Sequence, residues 1–130
     1  MLEGFERIQL TNGRTFVSIT DSGINFNCNV VIKMKSAEYI MFLINKSSKI
    51  FAIKSCSKSD QDATRFVKET TNVKNGIRYN NHDLIFEIAS IMDWNLSTSK
   101  YRIDGKYIPE ENAMLFDLNT ARTFAKKSTK

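Results

Sequence analysis

The sequence predicts an α+β fold made of two β-α-β-β units, rich in β-hairpins, with a short first helix and a longer second one. The units either stand apart or share one barrel-like core. Three observations carry that expectation. The pentapeptide Gly-Ile-Asn-Phe-Asn at 23–27 returns at 76–80 as Gly-Ile-Arg-Tyr-Asn. Each copy is followed by apolar residues at helical spacing and then by two apolar runs about a polar turn, so the order of elements repeats along with the pentapeptide. Finally, 130 residues that are 42% hydrophobic and 11% aromatic suffice for one compact core or two very small ones.

In chain order, Asn12-Gly13 lies between the β-prone runs FERIQL and RTFVSIT. That dipeptide is the strongest short-range signal for a two-residue hairpin turn, so residues 5–10 are expected to pair with 14–20. Asp21-Ser22-Gly23 is a turn cluster, Ile24 to Phe26 a short strand, and Asn27 a cap for the next element. Val30, Val31 and Met34 share one helical face, which predicts a short helix over 27–34 despite its β-branched residues. The stretch YIMFLINKSSKIFAIK, from Tyr39 to Lys54, reads as a hairpin with its tip at Lys46-Ser47-Ser48-Lys49. Hydrophobicity then falls and only Phe66 and Val67 offer an anchor, so 59–75 reads as a linker between a first unit, 1–58, and a second, 76–130.

The second unit opens with a strand at Ile77 to Tyr79. Asn80 and Asp83 form a capping pair for a helix that carries Leu84, Ile85, Ile88, Ile91 and Met92 on one side and runs to about Trp94. The run KYRIDGKYIPEENAMLFDL gives two more strands about Pro109 and the Glu110-Glu111-Asn112 turn, because proline cannot donate to a ladder. Asn119 or Thr120 is expected to cap a short C-terminal helix.

Composition narrows the function classes. Net charge is +5, and the excess lies early: residues 1–80 hold 12 Lys and Arg against 7 Asp and Glu, while 81–130 hold 7 against 7. Such a bias favours a polyanionic partner. Cys28 and Cys56 stand apart and are expected as reduced, buried thiols. With His82 as the one histidine, no metal site is expected. Neither an export signal nor an eighteen-residue apolar run is present, which points to a cytoplasmic protein without membrane contact. The 14 Ile, 12 Asn and 13 Lys suit AT-rich coding, as in low-GC bacteria and their mobile elements.

The segment from Val17 to Lys54, VSITDSGINFNCNVVIKMKSAEYIMFLINKSSKIFAIK, resembles the AbrB and MazE swapped-hairpin DNA-binding domains. The matching parts are the strand Val17 to Thr20, the turn at Gly23, the strand Ile24 to Phe26, the helix Asn27 to Met34 and the hairpin after it. Two copies in one chain would be similar to the MraZ arrangement. The resemblance implies hairpins exchanged between two copies to complete a barrel, with basic residues of the early loop and the helix end offered to DNA. Ile24 stands where many members carry arginine, and Asn27 where they carry proline.

The expected function is therefore that of a small bacterial regulator binding double-stranded DNA, as a homodimer or a single-chain pseudo-dimer. The alternative is a protein-interaction module using the hairpin edge of residues 39–54. Candidate phosphate contacts are Lys33, Lys35, Lys46 and Lys49 in the lysine-rich span 28–58, with Arg14 and Arg78 as forks for phosphate or guanine. Each also suits a bland role as a soluble strand edge, turn tip or helix end. Asp104, Glu110, Glu111 and His82 could serve acid-base chemistry, but no nucleophile or phosphate-cradling glycine loop accompanies them. The sequence thus predicts no catalytic residue, no cofactor and no small-molecule substrate.

Overall fold

The computed structural model describes residues 3–4 and 14–125, so the expected first strand, 5–10, and its Asn12-Gly13 turn lie outside the described residues. The chain runs through β1 (Phe16–Thr20), β2 (Gly23–Phe26), α1 (Cys28–Lys33), β3 (Tyr39–Asn45), β4 (Ile50–Ser55) and β5 (Thr64–Arg65). It continues through β6 (Ile77–Tyr79), α2 (His82–Met92), β7 (Ser99–Ile108), β8 (Ala113–Asp117) and β9 (Arg122–Ala125), with 3-10 turns at Val73–Asn75 and Leu118–Thr120. The architecture is α+β, mostly antiparallel: one curled, half-barrel sheet in the order β5-β3-β4-β8-β7-β1-β2-β6, with β9 added to β7. The edge strands β5 and β6 come close enough for the Tyr79 hydroxyl to donate to the Arg65 carbonyl at 2.7 Å.

Alternation along the strands decides which side is buried. Val17 and Ile19, Ile24 and Phe26, Phe51 and Ile53, and Met114 and Phe116 turn inward and are buried. Phe26 is central, with the rings of Phe51, Phe66, Tyr79 and Phe116 at 5.8 to 6.3 Å. Helix α1 adds Val30, Val31 and Met34 to this core, and α2 adds Ile85 and Ile88. Each fully buried side chain of this size contributes about 1.5–3 kcal/mol, which is why such short strands hold together.

Pairing skips between the halves of the chain. β1 pairs with β7, β2 with β6 and β4 with β8. The β2–β6 register is symmetric about Asn25 opposite Arg78, with Ile24 opposite Tyr79 and Phe26 opposite Ile77. The β4–β8 register is symmetric about Ala52 opposite Leu115.

Several details differ from expectation. The cap of α2 is Asn81, whose side chain accepts from the Leu84 N–H, because the chain extends one residue past Asn80 before turning. No C-terminal α-helix forms among the described residues. Asp117 caps a single 3-10 turn, and Arg122–Ala125 then finds hydrogen-bonding partners along β7 and becomes a strand. Within 59–75, Thr64 and Arg65 extend the sheet and Phe66 is 3% exposed in the core. Cys28 and Cys56 are free but only half-buried, since each sits where an element meets a loop.

Candidate nucleic-acid interface

The strand alternation that sends apolar residues inward sends a basic set outward on the opposite face. In register, Arg122 lies opposite Arg102, Arg102 opposite Ser18, Ser18 opposite Asn25, and Asn25 opposite Arg78. These residues form one row across β9, β7, β1, β2 and β6. At about 4.8 Å per strand, Arg102 and Arg78 stand about 14 Å apart. Lys100 lies two residues from Arg102 on the same face of β7. With Ser18, Thr20, Asn25, Arg78, Arg102 and Phe124 it lines a groove of about 180 Å³.

The row is held in place by its neighbours. The Arg102 guanidinium lies between the rings of Phe16, at 4.3 Å, and Phe124, at 5.2 Å. Aromatic faces attract the cation without neutralising it. Asp104 accepts from Arg14 at 3.2 Å and from Arg122 at 3.0 Å, so one carboxylate orients two arginines and cancels only one of their charges. Arg78 lies flat on Gly23, where an added Cβ would meet its guanidinium at 2.7 Å, and donates to Ser22 Oγ at 2.8 Å. Exposed pairs of this kind contribute little stability, so their effect is orientation.

The structure brings together two of the sequence-predicted residues, Arg14 and Arg78, on this face. It does not gather the four lysines there. Lys33 ends α1, and Lys35 follows it in a left-handed conformation, φ 59°. Lys46 and Lys49 sit at the β3–β4 turn, where Lys46 Nζ meets Glu87 Oε1 of α2 at 2.9 Å. The Lys49 carbonyl accepts from the Leu118 N–H at 3.0 Å. The residues of this face absent from the expected phosphate contacts are Lys100, Arg102 and Arg122. The alternation in Ser-Lys-Tyr-Arg-Ile-Asp was the available signal, since it puts Lys100, Arg102 and Asp104 on one face.

A larger concavity, about 610 Å³, lies beside α2 and has the opposite character: Asp21, Asp83 and Asp93 rim Phe86, Trp94 and Leu96. Its acids would repel a polyanion, so size does not make it the nucleic-acid site. Trp94 stacks on Tyr101 at 3.9 Å, a packing role at the helix end. Asp104 is committed to arginines and Glu111 to Lys54, while His82 sits at the rim of the acidic concavity. No group of His, Cys, Asp or Glu among the described residues could hold a metal ion. No helix among them is long and apolar enough to cross a membrane.

Comparison with protein-family models, curated proteins and solved structures finds no match for this chain.

Proposed function

We propose that this chain is a small DNA-binding regulator in which two β-α-β-β units within one polypeptide exchange hairpins, and that it holds duplex DNA on the arginine row. The observation that carries the reading is the row itself: Arg122, Arg102 and Arg78 in direct register on one sheet face, with Lys100 and Arg14 beside them and Asp104 as their carboxylate. A spacing of about 14 Å between Arg102 and Arg78 is comparable to the roughly 12 Å width of the major groove, so the two can reach phosphates on its opposite rims. Ser18 and Asn25 between them supply hydrogen-bonding groups at the centre of the contact.

The unit reading draws on the registers. Gly-Ile-Asn-Phe and Gly-Ile-Arg-Tyr pair about their own midpoint, the last strands of the two hairpins pair about theirs, and β1 pairs with the hairpin of the other half. Two exchanged copies related by an approximate two-fold axis would produce this pattern. The axis would pass between Asn25 and Arg78, placing the row across it.

The test is binding of the full chain to a mixed-sequence pool of duplex DNA at low salt. Arg78→Gln and Arg102→Gln together should weaken binding by about a hundredfold, at about 1.4 kcal/mol per charged contact. Lys46→Gln with Lys49→Gln should change it by less than about threefold. Failure of the wild type to bind, or equal effects of the two pairs, would contradict the assignment.

One observation favours the alternative as well. β5 covers only Tyr39 and Ile40 of β3, so Met41 to Asn45 have no strand partner on that edge among the described residues, and Leu43 is 44% exposed. A partner adding a strand there would be lost on Leu43→Lys with DNA binding intact.

A further inference from the structure

We infer that the seam between β5 and β6 is a binding site for a nucleotide, meaning a phosphate ester carried on a flat base. The inference goes beyond DNA binding and shares Arg78 alone with the row. At this seam the sheet stops pairing: β5 bonds to β3 on one side and β6 to β2 on the other, and the hydrogen bond from Tyr79 Oη to the Arg65 carbonyl spans the gap. The opening has a volume of about 420 Å³. That is within the roughly 300–1,000 Å³ usual for small-molecule sites.

Its two kinds of wall call for a two-part ligand. Phe66, Ile77 and Tyr79 give an apolar, partly aromatic floor, with Phe66 3% and Ile77 8% exposed. Arg65, Lys68 and Arg78 line the same opening, and no carboxylate does. Neutral groups orient the guanidiniums without cancelling their charge. Arg65 donates to the Val67 carbonyl and to Tyr39 Oη, each at 3.1 Å, while Arg78 donates to Ser22 Oγ. The Lys68 N–H bonds Thr71 Oγ1 at 2.8 Å, which fixes the turn that brings this lysine to the rim. Three cationic residues on one opening with no carboxylate in its lining favour an anion there. A bare anion would leave the floor wet, and an apolar ligand would leave the cations without a partner. A phosphate joined to a base satisfies both, through charge-assisted bonds and stacking. Two sources carry that chemistry: a free mononucleotide, or the 5′-terminal nucleotide of a strand entering along the adjoining groove, since Arg78 lines both openings.

The test is calorimetric titration of the full chain with AMP, CMP, adenosine, inorganic phosphate and a short 5′-phosphorylated single strand. Saturable binding is expected for a monophosphate or for the phosphorylated strand, with adenosine and phosphate each weaker by about tenfold or more. Lys68→Glu should lower that affinity by at least about tenfold, while Lys106→Glu, the same charge change on β7, should leave it within about twofold. Binding by the monophosphates assigns a free nucleotide, and binding by the strand alone assigns a strand end; either supports the site. Absence of saturable binding by both, phosphate matching AMP, or unchanged affinity in a folded Lys68→Glu variant would overturn it. None of these readouts uses Arg102 or Lys100, so failure here and failure of duplex binding are separate results.

Discussion

Asn27 satisfies three backbone groups with one side chain. Its Oδ1 accepts from the Val30 N–H at 3.1 Å and the Phe16 N–H at 3.2 Å, while Nδ2 donates to the Arg14 carbonyl at 2.9 Å. It caps α1 and ties the helix to the start of β1, a tie that proline at this position would lack. Asn27→Ala should therefore cost about 2 kcal/mol, more than a cap alone, in urea unfolding. Gly76 has φ 72° and lies against the Phe26 carbonyl, where a Cβ would clash. Gly76→Ala should cost about 3 kcal/mol or more by the same measurement, because both strain and the clash oppose it. Burial pushes the Tyr79 hydroxyl well above its ordinary value of 10.0. Below pH 10 the proton is held in both states and the hydroxyl stabilises the fold. As pH rises past 10 the unfolded tyrosine ionises first, so this contribution is progressively lost. Tyr79→Phe should be less stable than the wild type at pH 8, by about 1 kcal/mol, with the difference shrinking above pH 10 in chemical unfolding.

At the level of elements, α2 ends against its own dipole. Asp93 takes a left-handed conformation, φ 55°, with the Trp94 N–H bonded to the Ala89 carbonyl at 3.0 Å. A carboxylate at a helix C-terminus is unfavourable, and glycine suits that conformation, so Asp93→Gly should raise stability by about 1 kcal/mol, read as a higher Tm. How far each element was legible depends on the length of its pattern. Helix α2 repeats its apolar residues over three turns, and the β3–β4 hairpin sets two apolar runs about one polar tip, so both could be read directly. β5 has two residues and therefore no alternation to detect, and the Phe66-Val67 anchor just after it was its trace. β9 reads as the end of a helix until β7 is beside it, because Arg-Thr-Phe-Ala has no strong preference of its own. The row was illegible for a related reason: Ser18, Arg78 and Arg102 become neighbours through strand register alone. The lysines of 28–58 cluster in sequence, yet a helix end and a hairpin tip send them to different places.

Over the whole molecule, long-range pairing joins charge to fold. β1 and β2 lie between β7 on one side and the edge strand β6 on the other, and both flanking strands come from the second half of the chain. The basic face is thus assembled from both halves, although net positive charge lies almost wholly in the first. The central claim is that arginines in register across this face contact phosphates, and salt dependence tests it most directly. Each phosphate contact contributes about 0.9 to the slope of log K against log salt, so duplex binding by the full chain should weaken steeply. Removing Arg78 and Arg102 together should reduce that slope by about 1.8. An unchanged slope in the folded double variant would contradict the account.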